Sequence, residues 1–327
     1  MLEHGGRLRA AAEAYRIPLE EWVDLSTGIN PDGWVTPRPP DKVWRRLPEE
    51  EDGLEQAARL YYGCRSLLPA AGSQQAIQVL PALRPVSNVG VVEPCYGEHP
   101  HAWRYGNHRV RMIAADAIEG RIDELDVLVI CNPNNPDGRV FTRSQLLAWH
   151  NRLSARGGWL VIDEAFMDAT PEQSLAGVTP RAGLIILRSL GKFFGLAGVR
   201  VGFVLAETAL LERIRVKLGP WSIAGPSRWV AIGALSDEAW QVRMRGELSL
   251  AGARLQTLLS RAGLKPTGGT LLFQYVKSAA ADSIADRLAR HGILVRHFPE
   301  QSAIRFGLPD GEPAWDRLAD CLARRAE

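Results

Sequence analysis

Continuous apolar runs, separated by turns and helix-forming segments, dominate the middle of this 327-residue chain. From residue 88 onward the runs are NVGVVEP, HRVRMIA, VLVICNP, WLVIDEA and LIILRS. Strands buried on both faces of a sheet are apolar throughout, whereas a half-exposed strand alternates apolar and polar residues. The pattern therefore predicts an α/β fold with a mainly parallel sheet flanked by helices. We expect residues 95–103 to form a loop and Thr142–Arg156 to form a helix.

Both ends of the chain predict a second, smaller domain. The first 35 residues contain a helix-forming segment and then an extended run that ends in a Gly-, Asn- and Pro-rich turn. A long helical tract runs to about Arg261. The tail then predicts the strands TLLFQYV, GILVRHF and AIRFGL and helices at Ala279–Arg290 and Pro313–Arg325. We predict a large domain at residues 36–235 and a small α+β domain made of residues 1–35 plus 236–327.

Composition narrows the classes of function. The formal net charge is +2, so bulk electrostatics indicate neither a nucleic-acid nor a membrane partner, and local arginines must hold any anionic ligand. The four cysteines form no CxxC pair, which favours buried thiols over a metal site. No run of about 18 apolar residues and no signal-like N-terminus is found, so we expect a cytoplasmic protein.

One stretch, SLGKFFGLAGVRVG at residues 189–202, directly follows the apolar run LIILRS. If this glycine-rich turn folds back on itself, the Ser189 hydroxyl and the Arg200 guanidinium converge on one phosphate, and the Lys192 amine lies a ring's width away. That layout suits pyridoxal phosphate bound to a lysine as a Schiff base. A solvent-exposed lysine in an ordinary loop is the alternative for Lys192 alone.

Three further polar or aromatic side chains follow other predicted strands. Tyr96, Asn135 and Asp163 each come at or after the carboxyl end of a run, as Lys192 does. Carboxyl ends of parallel strands meet at one edge of a sheet, so we expect all four residues to share one crevice. There Asp163 could pair with a pyridinium nitrogen, Asn135 could bind the ring oxygen and Tyr96 could stack on the ring. Helix capping, turn formation and plain packing are the respective alternatives.

Several glycine-containing segments are also candidate ligand sites. Gly72, Ser73 and Gln74 open an apolar-periodic helix at residues 74–83, where backbone N–H groups suit a phosphate or simply a helix cap. Gly28 and Asn30 lie in a turn that could approach a ligand closely, or could be a plain turn.

These motifs together resemble the fold-type-I aminotransferase superfamily of classes I and II. The resemblance rests on GSQ at 72–74, NPNNPDG at 132–138, DEAF at 163–166 and SLGKFFGLAGVRVGF at 189–203. It implies a pyridoxal 5'-phosphate (PLP) enzyme that is a homodimer with sites at the subunit interface. The implied cofactor-binding residues are Gly72, Ser73, Gln74, Tyr96, Asn135, Asp163, Ser189, Lys192 and Arg200, with Lys192 and Asp163 also catalytic.

Within the superfamily, HGG at 4–6, VDLSTGINP at 23–31 and PWSIAGPS at 220–227 are similar to the threonine-phosphate decarboxylase family of cobalamin biosynthesis. That resemblance implies substrate binding by His4, Gly28, Asn30, Arg296 and Arg305. Two positions depart from the wider pattern: Phe166 and Leu47 stand where many relatives carry a tyrosine that contacts the cofactor.

The implied reaction is decarboxylation of L-threonine O-3-phosphate to (R)-1-amino-2-propanol O-2-phosphate. The bond that breaks is the one perpendicular to the cofactor ring, so the placement of the substrate selects the reaction. An aminotransferase acting on a phosphorylated amino acid such as histidinol phosphate is therefore the alternative enzyme. A cofactor-binding homologue without catalytic activity is the alternative outside enzymes.

Overall fold

A computed structural model describes residues 4–323, and the chain divides into two compact units. The terminal unit comprises Met1–Gly33, Pro136–Arg139 and Arg243–Glu327. The central unit comprises Trp34–Asn135 and Val140–Val242. Among the helices of the described residues, none combines the length and the apolar character that a membrane span needs.

The described residues contain twelve strands and twelve α-helices. The strands are β1 (Val23–Leu25), β2 (Leu68–Ala70), β3 (Asn88–Glu93), β4 (Arg109–Ala114), β5 (Val127–Cys131), β6 (Trp159–Asp163), β7 (Leu184–Ser189), β8 (Gly202–Leu205), β9 (Gly268–Thr270), β10 (Phe273–Lys277), β11 (Ile293–Phe298) and β12 (Ala303–Gly307). The helices are α1 (Leu8–Tyr15), α2 (Lys42–Arg45), α3 (Leu54–Tyr62), α4 (Ser73–Val79), α5 (Glu98–Tyr105), α6 (Ile118–Arg121), α7 (Arg143–Ser154), α8 (Thr208–Leu218), α9 (Gly225–Ser236), α10 (Glu238–Arg261), α11 (Ala281–Arg290) and α12 (Gly311–Ala323).

The central unit is built on a seven-stranded sheet in the order β2-β8-β7-β6-β5-β3-β4. The pairs from β7 through β4 are parallel, and β8 is antiparallel to both β7 and β2. Every residue of β5 and β6 is buried, which explains their uniformly apolar sequences. The α/β fold with a mainly parallel sheet is confirmed, and the carboxyl ends of β3, β5, β6 and β7 lie along one edge.

Two local predictions are wrong, and a third is confirmed in more detail. The sequence predicts a loop over residues 95–103, but α5 begins at Glu98. Pro100 is the third residue of α5, where a helix does not need the missing N–H group, so this proline does not break the helix. The predicted helical tract to about Arg261 is confirmed, and it consists of three helices, α8 to α10. The Asp237 carboxylate accepts a hydrogen bond from the Trp240 N–H at the start of α10 (3.0 Å). The segment TLLFQYV contributes to two antiparallel strands, β9 and β10, separated by a turn.

The terminal unit contains a five-stranded sheet in the order β1-β11-β12-β10-β9. Strand β1, from the N-terminal part of the chain, pairs with β11 in parallel, and the remaining pairs are antiparallel. Both ends of the chain therefore contribute to one small sheet. In the described residues, the helix predicted at Pro313–Arg325 is α12, and its last two predicted residues lie outside the described range.

Candidate functional site

A cleft in the central unit lies where four parallel strands end. Its lining residues come from the turns after β3, β5, β6 and β7 and from the start of α4. They are Ser73, Gln74, Tyr96, Cys131, Pro133, Asn135, Asp163, Ala165, Phe166, Ser189, Lys192 and Arg200. The structure therefore places Tyr96, Asn135, Asp163 and Lys192 around one cleft, as parallel strand geometry requires.

One end of the cleft is formed by Gly72, Ser73, Ser189 and Arg200. Gly72 has a φ of +75°, and a Cβ atom on it would lie 2.5 Å from the Arg200 guanidinium. Arg200 is itself in the left-handed region, with a φ of +56°. The Ser189 hydroxyl oxygen accepts a hydrogen bond from the Gly191 N–H at 3.2 Å. This end combines a guanidinium, two hydroxyl groups and a closely approaching glycine backbone, which is chemistry suited to an anion.

The other part of the cleft contains a buried carboxylate supported from behind. Asp163 is 6% exposed, its Oδ1 accepts from the Ala165 N–H, and its Oδ2 lies 2.8 Å from His99 Nε2. His99 is itself buried and lies on α5. Burial lowers the pKa of His99, but the neighbouring Cys131 side chain and the hydrogen bond to Asp163 raise it by more, to about 10. The pair therefore holds one Asp163 oxygen in a fixed position.

The side chains between these two ends have defined partners. The Tyr96 hydroxyl donates to Gln74 Oε1 at 3.1 Å, and the Gln74 amide donates to Glu98 at 2.7 Å. Burial first, and then the charges of Glu98 and Asp163, raise the pKa of Tyr96, so its hydroxyl stays protonated. Lys192 Nζ lies 5.4 Å from the centre of the Phe166 ring. The amine, the amide of Asn135 and the Tyr96 ring thus face one cleft.

A buried ion-pair network supports the segment that follows Asp163. Arg188, on β7, is 1% exposed and pairs with Glu164 and Asp168, which are both fully buried. The Ser174 hydroxyl donates to Glu164 at 2.5 Å. Burial lowers the pKa of Arg188, but Asp168 and Glu164 raise it by more. This network ties the chain after β6 to the strand that leads to Lys192.

Replacement of Arg188 with methionine is expected to destabilise the protein by about 3–5 kcal/mol, because two buried carboxylates lose their cation. The free energy of unfolding in urea measures this loss. The matched control is Arg152→Met, which removes ion pairs with the solvent-exposed Asp123 and Glu119 and should cost far less. Equal losses in the two variants would show that the Arg188 network does not carry this stability.

The terminal unit contains two neighbouring arginines. Arg296 on β11 and Arg305 on β12 occupy directly paired positions, and Arg305 is only 5% exposed. Burial, and then the positive charge of Arg296, lower the pKa of Arg305 to about 10, with Asp24 acting in the opposite direction. The Arg305 guanidinium donates to the Ser26 carbonyl oxygen at 2.7 Å. Two like charges at facing positions of a sheet destabilise each other unless an anion joins them.

Three other predicted residues also belong to the terminal unit. His4 is exposed, and Gly28 is buried with a φ of +62°. Asn30 is 2% exposed, and its Oδ1 accepts from the Asp32 N–H at 3.0 Å, which closes a turn.

The four cysteines are all thiols. Three are buried as predicted, whereas Cys95 is half-buried.

Sequence reasoning missed His99, Cys131 and Arg188. The sequence predicts a loop at residues 95–103, where His99 lies on α5, so helical spacing does not indicate this residue. The Cys131 thiol and the Arg188 side chain are inside apolar runs, where a strand pattern alone does not reveal which polar groups meet. A buried arginine needs compensating acids, so Arg188 within the apolar run LIILRS is the signal in the sequence that indicates a buried ion pair.

Comparisons with known proteins agree with this architecture. The family model "Aminotransferase class I and II" matches residues 20–317. The chain is 55% identical over 322 residues to a threonine-phosphate decarboxylase of Pseudomonas aeruginosa, covering 98% of this chain and 97% of that protein. It is 38% identical over 329 residues to a protein of the same name from Sinorhizobium sp., covering 98% and 97%.

A solved structure is similar over nearly the whole chain. It is the histidinol-phosphate aminotransferase of Sinorhizobium meliloti in complex with pyridoxal-5'-phosphate. The TM-score is 0.80 at 20% sequence identity, and the match covers 98% of this chain and 94% of that one. At this identity the likeness concerns the fold.

Proposed function

The chain belongs to the class I and II aminotransferase family, and from this premise we propose that it is a PLP-dependent decarboxylase of L-threonine O-3-phosphate. The product is (R)-1-amino-2-propanol O-2-phosphate, an intermediate for cobalamin biosynthesis. The observation that carries the proposal is the 55% identity, over 98% of the chain, to a threonine-phosphate decarboxylase. The cleft of the central unit offers the groups that such a reaction needs.

The cleft residues fit PLP at three points. Its phosphate is suited by the side chains of Ser73, Ser189 and Arg200. Gly72 has no Cβ atom, so its backbone lies close to the Arg200 guanidinium. Asp163 is a buried carboxylate that lines the cleft, where a protonated ring nitrogen would be a cationic partner in addition to His99. The Lys192 amine lines the same cleft and supplies the nucleophile for covalent attachment. When bound, PLP accepts the electron pair of the bond that breaks at the substrate Cα.

The remaining roles belong to side chains of this protein. His99 and the Ala165 N–H each hold one oxygen of the Asp163 carboxylate, which would fix this group for pairing with the ring nitrogen of the cofactor. Gln74 fixes the Tyr96 hydroxyl, which leaves the Tyr96 ring to pack on the cofactor ring. The Asn135 amide would donate to the ring oxygen of the cofactor, without help from a hydroxyl at Phe166. After carbon dioxide leaves, the Lys192 amine returns a proton to Cα.

Replacement of Gly72 with alanine is expected to weaken PLP binding by at least about tenfold. The new Cβ atom would meet the Arg200 guanidinium at 2.5 Å, and alanine at a φ of +75° adds strain of about 1–3 kcal/mol. Titration of cofactor-free protein with PLP, followed by absorbance, measures the affinity.

The matched control for this variant is Gly219→Ala. Gly219 has nearly the same φ, +71°, but a Cβ atom there would meet nothing within 4 Å. If backbone strain alone determined the effect, Gly72→Ala and Gly219→Ala would change the affinity for PLP to the same extent. A wild-type affinity in Gly72→Ala would contradict the assignment of this end of the cleft to the phosphate.

We assign substrate binding to Arg296 and Arg305, together with His4, Gly28 and Asn30. The resemblance to a family implies this role, and the directly paired positions of the two arginines on β11 and β12 support it, since two neighbouring positive charges favour an anion. The phosphate and the carboxylate of the substrate are both candidate anions. The group that the arginines hold decides how the α-carboxylate is oriented, and therefore which bond breaks.

Replacement of Arg305 or Arg296 with glutamine is expected to raise KM for L-threonine O-3-phosphate about 10- to 100-fold, as the loss of a charged hydrogen bond predicts. The matched control is Arg290→Gln, an exposed arginine paired with Asp286 on α11. L-Threonine as a second substrate separates the two anions, because a phosphate-binding arginine contributes nothing to its KM. An unchanged KM for both substrates in both variants would exclude these arginines from the substrate site.

Product analysis tests the proposed function directly. PLP-loaded protein is mixed with L-threonine O-3-phosphate and no keto acid, and carbon dioxide and aminopropanol phosphate are measured. Catalytic amounts of both products are expected. Unchanged substrate, or conversion of the cofactor to its amine form only, would overturn the decarboxylase, and amino transfer from histidinol phosphate to 2-oxoglutarate would establish the aminotransferase. Protein that binds PLP but does neither would be the non-catalytic homologue.

We also propose a cytoplasmic homodimer. Large apolar side chains of the central unit are exposed, including Val35 (83%), Trp44 (64%) and Leu47 (64%), and a second copy of the chain would cover them. The four thiols suit a reducing compartment. Light scattering of the purified protein should give twice the chain mass of 36.0 kDa, and a monomer mass would contradict the dimer.

A further inference from the structure

The floor of the cleft brings together a histidine, a cysteine and an aspartate from three different elements. One donor atom each from His99 on α5, Cys131 on β5 and Asp163 on β6 lies within 4.8 Å of the others. All three residues are buried. We propose that, in the absence of PLP, these three side chains bind one Zn²⁺ ion, and that zinc and PLP exclude each other.

The donor set matches the coordination chemistry of zinc. A thiolate, an imidazole and a carboxylate are the three ligand types that zinc takes in proteins. Tetrahedral coordination with bonds of about 2.0–2.3 Å places donor atoms about 3.3–3.6 Å apart. His99 Nε2 and Asp163 Oδ2 are 2.8 Å apart, and the thiol sulfur is within 4.8 Å of the donor atoms on both residues. Side-chain movements of about 1 Å therefore suffice to enclose the ion.

The position of the cluster leaves one coordination site open. Cys131 and Asp163 both line the cleft, whereas His99 lies behind Asp163. A metal held by the three residues would therefore have a side directed at the cleft, where a water molecule completes the tetrahedron. Binding replaces the Cys131 S–H bond with a sulfur–zinc bond and the His99 Nε2–H bond with a nitrogen–zinc bond, and both protons pass to solvent.

Zinc and PLP exclude each other because both would use the Asp163 carboxylate. Asp163 is the group that we assign to the ring nitrogen of PLP, and this part of the inference rests on the proposed function. Zinc bound at Asp163 Oδ2 neutralises the carboxylate, and the positive charge of the metal repels a ring cation at the neighbouring oxygen. No pattern in the sequence indicates this site, because its three ligands lie 32 or more residues apart along the chain and no short metal-binding spacing connects them.

The first test uses the full chain, freed of PLP and of metals, and titrates it with Co²⁺ as a spectroscopic probe and with Zn²⁺ by calorimetry. One ion per chain and a sulfur-to-cobalt charge-transfer band are expected. Affinity should fall at least tenfold in Cys131→Ser and in His99→Gln. The matched control is Cys64→Ser, a buried thiol outside the cleft, which should bind like the wild type. Lack of binding, or equal binding by Cys131→Ser, would overturn the proposal.

The second test measures competition. PLP absorbance is followed while metal-free protein is reconstituted with and without Zn²⁺, and zinc is expected to block reconstitution until a chelator is added. Equal zinc affinity in PLP-saturated and PLP-free protein would overturn the exclusion. Failure of the proposed function has a different signature, because metal-free protein reconstituted with PLP would then release no carbon dioxide from L-threonine O-3-phosphate. The zinc titrations decide the metal site independently of that result. Far-UV circular dichroism identifies any variant that does not fold, and the other ligand variant then gives the answer.

Discussion

Lys192→Ala is expected to form carbon dioxide from L-threonine O-3-phosphate at least about 10³-fold more slowly than the wild type. The substitution removes both the amine that attaches PLP covalently and the group that we assign to proton transfer at Cα. Lys192 lines the cleft beside Phe166, and its neighbours Phe193 and Phe194 are fully buried, so the backbone at this position is well supported. We therefore expect the variant to fold, and the rate of product formation at saturating substrate measures the loss.

The matched control is Lys217→Ala, which removes an exposed lysine from α8. This variant should retain wild-type activity. The absorbance of the bound cofactor adds an independent measurement, because a covalent attachment to Lys192 disappears in Lys192→Ala and persists in Lys217→Ala. Appreciable decarboxylation by Lys192→Ala would show that another group performs the chemistry.

Asp163→Asn is expected to lower the rate constant by roughly 10²- to 10⁴-fold. The amide has almost the same shape as the carboxylate, but it carries no charge to stabilise a protonated ring nitrogen. Loss of one partner of a buried ion pair costs about 3–5 kcal/mol, which corresponds to this range of rates. The rate constant for carbon dioxide release, measured in protein saturated with PLP, separates this effect from weaker cofactor binding.

Asp116→Asn is the matched control, because Asp116 is exposed and lies outside the cleft. Its rate constant should equal that of the wild type. A wild-type rate in Asp163→Asn, with PLP bound, would show that the charge of Asp163 does not assist the reaction. Loss of the folded state in Asp163→Asn, seen by circular dichroism, would instead indicate that His99 depends structurally on this carboxylate.

Much of the large sheet could be predicted from the sequence, because burial on both faces leaves a direct trace in it. The run LIILRS at residues 184–189 coincides with β7, and VLVIC forms β5. Parallel strands then force their carboxyl ends to one edge, so residues distant in sequence, such as Tyr96 and Lys192, were expected to meet. The structure places both around one cleft. The resemblance to known families added the expected roles.

The sequence by itself thus determined most strands of the large sheet, the α/β class and the segments that supply the cleft, since each depends on local pattern and turn chemistry. Only the tertiary structure decided which polar groups support the cleft from behind. His99 reaches Asp163, and Arg188 reaches Glu164 and Asp168, across pairs of elements whose side-chain directions no local pattern specifies. The contact between Gly72 and Arg200 likewise depends on two left-handed residues from separate turns. Such contacts are selected by packing and by the need to pair buried charge, and both act only after the chain has folded.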